Sequence, residues 1–358
     1  MFRHRGDGLI KKRLTTKQIF LLAAAALIAA AGIACVLLTA SQRPREIYDA
    51  QVVAAEHMQQ CMDAVKSEKN ARGIEISAED KFDTGLIGEE FNFITTTLGD
   101  VAAKRTSTDP DMAALLVLMF TQAGLESGDR LACNFSGSFP ALNIAVLCAC
   151  EALDITPVYI CSVGASTWGA NNPEFSFPEM ADLLYKLGLI KTAPALITPG
   201  AGSDTGKGVD EELFSAIWDK IGYLGYPTMT EDDFGTNVAA RRKIFGSCDA
   251  FIAVGGNITS LGYNQVTDII GQGIITEHIN SLNDNSGLIE YYLYEGVPTM
   301  LLLNIRQLCA DYEITFDPAV RTDIGEGSIY RETAYEAWII IIMLIAEAAL
   351  LVIYKKLA

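Results

Sequence analysis

The sequence predicts an α/β protein: a three-layer domain with a mostly parallel sheet, flanked by two transmembrane helices and carrying an N-terminal helical extension. Three observations lead to this class. Apolar blocks stand near both ends of the 358-residue chain. Between them, short apolar runs alternate with helical stretches of about 10–15 residues, which is typical of a parallel sheet covered by helices. Ahead of these runs lies a long helical stretch without Pro or Gly.

The first apolar block covers residues 19–40 and contains no charge. A hydrocarbon core about 30 Å thick needs about 20 helical residues, so this block is long enough to span it. A cleaved signal peptide ending at Ala40 is the alternative. The block is longer than the roughly 7–15 apolar residues of a signal sequence, and Leu38-Thr39-Ala40 is a poor cleavage site. Both points favour an uncleaved anchor.

The second block covers residues 337–354 and contains one acid, Glu347. A buried core helix is the alternative for a block of this length, but its uniform hydrophobicity and its position favour a second span. An acid inside a membrane costs about 2.5–3.5 kcal/mol on insertion scales, so such a side chain usually meets a partner or snorkels. We therefore expect Glu347 to contact another membrane subunit.

Basic residues flank the outer ends of both blocks, in residues 1–18 and 355–358. The positive-inside rule then predicts a two-pass protein of the cell membrane with both termini in the cytoplasm and residues 41–336 outside it. The whole chain has a net charge of −17. Such an acidic chain is a poor partner for nucleic acid.

Within the outer segment, apolar positions at helical spacing predict a helix over residues 46–69, and Pro110 marks the start of a second over 111–123. Alternating strands and helices follow. The predicted strands are 131–135, 157–163, 193–198, 251–254 and 298–303, and the predicted helices are 141–153, 177–187, 209–221, 236–245 and 287–294.

Seven of the eight cysteines lie between the two blocks, most of them in apolar runs where a thiol behaves as a small hydrophobe. We expect buried free thiols. A disulfide stays open as an alternative, with Cys61 and Cys309 as the residues to check. The chain has no CxxC spacing, and we predict no metal site and no cofactor.

Four loops rich in small residues follow predicted strands, at 134–140, 162–171, 199–208 and 255–257. In open parallel sheets, ligands bind beyond the carboxyl ends of the strands, so these loops predict a binding cleft. The predicted ligand-binding residues in them are Ser136, Ser138, Ser166, Trp168, Gly200, Gly202, Asp204, Lys207 and Asn257. The alternative is that Gly and Ser simply form turns. The third loop fails the spacing of a phosphate-binding P-loop, with Ala201 in place of its first glycine.

A segment at 94–108 places six hydroxyl side chains around a Lys-Arg pair. In so acidic a chain, a basic pair among hydroxyls predicts an anion clamp. An ordinary exposed turn is the alternative. The residues assigned to the clamp are Thr95, Thr96, Thr97, Asp100, Lys104 and Arg105.

A serine hydrolase or transferase is the enzymatic alternative. Ser136 or Ser138 is then the nucleophile, with His278 or Lys207 as its base. The turn lacks the G-x-S-x-G form of a nucleophile elbow, and a helix-surface position is the simpler interpretation of His278. No reaction can be assigned from these residues.

The collinear set of motifs resembles the poly-γ-glutamate system protein family, membrane proteins associated with bacterial poly-γ-glutamate synthesis and export. The resemblance is carried by residues 84–88, 95–100, 103–108, 136–140, 164–170, 200–208 and 254–257. It implies an accessory role, with the polymer or the membrane subunits of the synthase and export complex as partners. It implies no catalytic residue. The alternative activity is hydrolysis or transfer at γ-glutamyl or peptide bonds outside the cell membrane.

Overall fold

The computed structural model describes residues 14–202, 204–206, 211–264 and 271–357. Residues 1–13, most of the predicted basic tail, and Lys207 lie outside the described residues. The strands are β1 (Ser41–Pro44), β2 (Arg130–Phe135), β3 (Thr156–Ser162), β4 (Leu196–Thr198), β5 (Ala250–Val254), β6 (Gly273–Ile275), β7 (Thr299–Leu302) and β8 (Arg331–Ala334).

The described helices number along the chain as α1 (Thr16–Leu38), α2 (Tyr48–Arg72), α3 (Val101–Ser107), α4 (Asp111–Gln122), α5 (Pro140–Ala152), α6 (Phe177–Lys186), α7 (Glu211–Gly222), α8 (Phe234–Phe245), α9 (Ile258–Leu261), α10 (Leu288–Tyr294), α11 (Ile305–Asp311) and α12 (Ala337–Leu357). The chain divides into two compact units. One comprises residues 1–44 and 331–358, and the other comprises residues 45–330.

The smaller unit consists of the two apolar helices and a short ribbon. Both α1 and α12 are long and apolar enough to cross a membrane. They pack against each other, and Gly32 lies so close to Met343 that an added Cβ would stand 2.4 Å from its sulfur. Small residues allow this close approach of two apolar helices. Strands β1 and β8 pair antiparallel.

The larger unit contains a six-stranded sheet in the order β4-β3-β2-β5-β7-β6. The first five of these strands are parallel, and β6 at the edge is antiparallel to β7. The predicted parallel sheet is thus confirmed. Strand β6 could not be predicted from the sequence, because its three residues form too short an apolar run to be recognised. The strand order reverses between β2 and β5, which makes that pair the topological switch point.

Buried apolar side chains fix the faces of the strands. In β2, Cys133 enters the larger of two core clusters and the adjacent Ala132 enters the other. Residues Ile252 and Phe251 of β5 divide in the same way. Alternation of this kind follows from the two-residue period of a strand, and apolar residues on both faces are the mark of a buried parallel sheet.

Helix α2 matches the helix predicted over 46–69, and it belongs to the core of the larger unit. It packs against α4 and α5, and its Met58, Met62 and Val65 are fully buried. Its end is marked by Gly73 in the left-handed conformation, the usual C-terminal signal.

Candidate functional site

A cleft of about 660 Å³ lies at the carboxyl ends of the parallel strands. It is lined by the loops that follow β2, β3, β4 and β5, together with the segment before α3. The cleft includes the switch point between β2 and β5, where open α/β sheets bind their ligands. Of the residues predicted to bind ligand, those that line it are Thr96, Thr97, Asp100, Lys104, Ser136, Ser138, Ser166, Gly200, Gly202, Asp204 and Asn257.

The strand-end loops approach one another backbone to backbone. The loop after β4 turns at Gly200, whose φ of +74° is the left-handed region that glycine favours. A Cβ at Gly200 would stand 3.0 Å from the amide nitrogen of Gly164 in the loop after β3. Glycine is therefore needed here for two reasons, its backbone angle and its lack of a side chain.

The threonine-rich segment joins the site by pairing with the loop after β3. The amide of Thr96 donates to the carbonyl of Ala165 at 2.8 Å, and the amide of Thr167 donates to the carbonyl of Thr97 at 2.9 Å. Gly99 extends the contact, since its amide donates to the Thr167 hydroxyl at 2.6 Å. These bonds hold the start of α3 against the sheet end.

Lys104 is the central cation of the cleft. Only 2% of the residue is exposed, yet its ammonium group donates to the Ser166 hydroxyl at 2.9 Å and to the carbonyl of Ser138. The ring of Phe139 lies under it, with its centroid 3.5 Å from Nζ. Burial lowers the pKa of Lys104 to about 7, while the charge of Asp100 opposes this shift.

Three serines, Ser136, Ser138 and Ser166, form a hydrogen-bonded group beside this lysine. Ser136 Oγ donates to Ser138 Oγ at 3.0 Å, and the amide of Ser166 also donates to Ser138 Oγ at 3.0 Å. A hydroxyl has two lone pairs and one proton. The Ser138 oxygen thus accepts two bonds, which leaves its own proton for a ligand.

A buried ion pair lies beneath the cleft. Asp204 and Arg241 are both almost fully buried and contact each other through carboxylate and guanidinium. Arg241 also donates to the side-chain oxygens of Asn134, Asn237 and, at 3.1 Å, Thr198. This pairing gives Asp204 a structural role, since its second oxygen accepts from the hydroxyl of Thr198 at 2.9 Å.

The same network reaches the loop after β5. Asn134, in the central strand β2, donates to Asn257 Oδ1 at 2.8 Å and to the Ser260 hydroxyl at 2.7 Å. Buried amides of this kind must be paired to avoid a desolvation penalty. The network therefore ties the loops on both sides of the switch point to Arg241.

Of the two bases predicted to form the anion clamp, Lys104 lines the cleft and Arg105 does not. Its guanidinium donates two bonds to Asp317, at 2.8 and 2.6 Å, and one to Glu79 at 2.7 Å. The side chains of neighbouring residues on a helix point about 100° apart, so Lys104 and Arg105 of α3 extend in different directions.

Three other predicted site residues stand apart from the cleft. Trp168 lines a separate cavity of about 460 Å³ beside the buried Lys69. The Thr95 hydroxyl accepts from Asn171 Nδ2 at 2.9 Å and serves the packing of its loop. His278 is exposed, stacks on Tyr294 and does not line the cleft.

One further cluster has the chemistry of a soft-metal site. His57 and Cys61 lie one turn apart on α2, and Cys148 of α5 stands with its sulfur 3.9 Å from that of Cys61. Contact with Cys148 and then with His57 lowers the pKa of Cys61 to about 6, against the effect of burial. Thiolates bound tetrahedrally to zinc at about 2.3 Å stand at nearly this separation.

All eight cysteines are free thiols in the structure, and they all lie in the part of the chain described. Cys309 is buried, and the cysteine next to Cys61 is Cys148. The spacing of His57 and Cys61 was the available sequence signal for a metal ligand pair. Cys148 joins it only through the packing of α2 on α5.

Comparison of the chain with family models, curated proteins and solved structures finds no match. The sequence resemblance therefore remains a prediction. Sequence reasoning also missed Arg241, because the run Arg241-Arg242-Lys243 has the appearance of a solvated helix end. The sequence signal for a buried arginine was Asn237, a polar partner one turn earlier on the same face of α8.

Proposed function

We propose that the protein is a membrane-anchored accessory protein of bacterial poly-γ-glutamate synthesis or export, which binds the polymer or a partner subunit in the strand-end cleft. The collinear resemblance supports the pathway. Two apolar helices and the bases outside them support a two-pass topology with both termini in the cytoplasm. In this proposal the sheet of the outer domain is the middle of three layers, with α2 as its N-terminal helical part.

The observation that carries the binding function is the position of Lys104. Lys104 lines the cleft together with Ser138 and Ser166, and its ammonium group donates to the Ser166 hydroxyl. The charge of Arg241, in contrast, is neutralised by its ion pair with Asp204. An ammonium group and hydroxyls are donors that suit a carboxylate. A γ-linked glutamate chain offers one free carboxylate on each residue, so the cleft suits a short stretch of such a chain.

The overall negative charge of the protein restricts where on its surface the polymer can bind. A polyanion is repelled by most of an acidic surface, and the repulsion falls off beyond about 10 Å at 0.1 M salt. Lys104, the cation that lines the cleft among the described residues, gives the polymer a place to bind. We therefore expect weak, salt-sensitive binding that depends on Lys104.

Lys104→Met tests this site. We expect the substitution to weaken binding of a fluorescent γ-glutamate oligomer at least tenfold at pH 6, because a charge-assisted contact contributes about 1.5–3 kcal/mol. Fluorescence anisotropy of the full chain in detergent measures the affinity. The matched control is Lys69→Met, which removes another buried lysine from the separate cavity and leaves the affinity unchanged.

An equal loss in both variants would contradict the proposal, since the effect would then follow from any buried lysine. Absence of binding by the unmodified chain at pH 6 would also contradict it. An oligomer with its carboxylates esterified serves as the ligand control. It is expected to bind at least tenfold more weakly than the free acid.

A second part of the proposal concerns Glu347 as a contact with another membrane subunit. The carboxylate is half-buried against its own unit, and among the described residues its buried Oε1 has no hydrogen-bond partner. An unpaired polar atom in an apolar helix is costly and suits a donor on a neighbouring protein.

Glu347→Leu is expected to reduce co-purification with the synthase and export subunits from detergent extracts at least fivefold. Leucine keeps the helix apolar, so the anchor itself remains in the membrane fraction. Leu344→Ala, an exposed position one turn earlier, is the matched control and retains the partners. Full recovery of the complex with Glu347→Leu would refute this contact.

A further inference from the structure

We propose that Ser166 is a nucleophile and Lys104 its general base, so that the cleft transfers acyl groups from amide bonds. The proposal rests on the proposed function only for the ligand, a chain that bears carboxylates. The observation behind it is the hydrogen bond between Lys104 Nζ and Ser166 Oγ, 2.9 Å long, inside the cleft. A serine beside a buried amine is one of the known arrangements for an activated hydroxyl.

The geometry selects Ser166 over the two serines that the sequence suggested. Both lone pairs of Ser138 Oγ accept hydrogen bonds, from Ser136 and from the amide of Ser166. Ser136 Oγ itself accepts a hydrogen bond from the amide of Ser138 at 3.2 Å. Of these three serines, and within the part of the chain that the structure describes, Ser166 is the one whose hydroxyl oxygen bonds an amine that can remove its proton.

Glycine at position 99 makes room for the pair. A Cβ there would stand 3.0 Å from Ser166 Oγ, 3.1 Å from Lys104 Cε and 2.8 Å from the carbonyl of Thr167. A side chain at this position would crowd the serine, the lysine and the carbonyl of Thr167. The threonine-rich segment thus positions the pair as well as lining the cleft.

The surroundings of Lys104 suit a base. The carbonyl of Ser138 and the ring of Phe139 both contact the amine, and the charge of Asp100 raises its pKa. The other acid that lines the cleft, Asp204, is paired with Arg241. Burial keeps the pKa of Lys104 near 7, so a substantial fraction of the lysine is neutral at neutral pH.

The reaction balances without a cofactor. Ser166 Oγ bonds to the carbonyl carbon of the amide as its proton passes to neutral Lys104. The carbon–nitrogen bond breaks as Lys104 returns that proton to the departing amine. Water then attacks the acyl group, giving one proton to Lys104, and Ser166 leaves as its oxygen takes that proton back. The products are a carboxylic acid and an amine. The free proton of Ser138 is placed to donate to the substrate oxygen.

The test uses the full chain in detergent and a fluorophosphonate probe at pH 8. We expect the probe to modify Ser166, identified by mass spectrometry of the digested protein. Lys104→Met should slow labelling at least 100-fold, the size of a general-base contribution. Ser166→Ala should abolish it. The control is Ser247→Ala, which replaces an exposed serine that does not line the cleft. The probe should label this variant at the same rate as the unmodified chain.

Labelling of Ser136 or Ser138, or no labelling of any serine, would overturn the proposal without a variant being needed. Equal labelling rates with and without Lys104 would also overturn it. A γ-glutamate oligomer incubated with the unmodified chain should shorten, and with Ser166→Ala it should not. An oligomer that stays intact refutes this substrate. If Lys104→Met still binds the oligomer more weakly than Lys69→Met does, the proposed binding function stands although the proposed activity fails.

Discussion

Replacing Arg241 by alanine is expected to lower the free energy of unfolding of residues 45–330 by about 3–5 kcal/mol. Arg241 is 2% exposed, and its guanidinium pairs with the carboxylate of Asp204, which is 4% exposed. Removing the arginine leaves a buried carboxylate without its counter-charge. It also leaves the side-chain oxygens of Asn134 and Asn237 without the N–H groups that donate to them. An uncompensated buried charge is among the most costly changes a core can suffer.

The neighbouring Arg242 supplies a matched control. It lies on the same helix and pairs with Glu295, but the Arg242 side chain is 34% exposed and the Glu295 side chain is 42% exposed. Exposed pairs contribute about 0–1 kcal/mol, so Arg242→Ala should change stability by no more than that. Urea unfolding of the full chain in detergent, followed by tryptophan fluorescence, compares the two variants.

A double variant separates lost charge from lost packing. Combining Arg241→Met with Asp204→Leu removes both charges and fills much of the same volume, so it should recover most of the stability lost in Arg241→Ala. If the two single arginine variants unfold at the same urea concentration, the buried network does not hold the strand-end loops as described.

Binding and acyl transfer are expected to depend on pH in opposite directions, because both use Lys104. Its pKa is lowered by burial to about 7, so the lysine is charged below that pH and neutral above it. A carboxylate binds the charged form, whereas Ser166 needs the neutral form. Asp100 raises this pKa, and the charge of Asp204 is matched by Arg241.

Oligomer affinity should therefore be greatest near pH 5–6.5, where the ligand carboxylates are already ionised, since a γ-linked chain leaves α-carboxyls free and their ordinary pKa is about 3.3–3.7. Above pH 7 the ammonium fraction falls roughly tenfold for each pH unit, so binding should weaken about 100-fold by pH 9. Labelling of Ser166 should instead rise through pH 7 and level off. Anisotropy and labelling rates over the same buffers measure the two curves.

The Lys69→Met chain should show both curves unchanged, because this lysine lies in the other cavity. Affinity that stays level from pH 6 to pH 9 would mean that Lys104 does not contact the carboxylate. Labelling that falls with rising pH would remove Lys104 as the base.

Much of the fold followed from local pattern. The helix over residues 46–69, the five parallel strands and the two apolar ends could be predicted, because each is set by the period or length of an apolar run. The strand-end loops could be placed for the same reason, since parallel strands bring their carboxyl ends to one edge. The antiparallel edge strand β6 could not, because three residues carry no readable period.

The site residues divide along the same line. Residue type and strand period place small and hydroxylated residues at the strand ends, and Lys104, Ser136, Ser138 and Ser166 are among the residues they predict. The folded structure adds that Lys104 contacts Ser166 while Arg105 contacts Asp317, and that Arg241 is buried while Arg242 is partly exposed. Burial and pairing are properties of contacts between distant segments, and the pKa of a lysine follows from them. Residue type and spacing cannot specify these contacts.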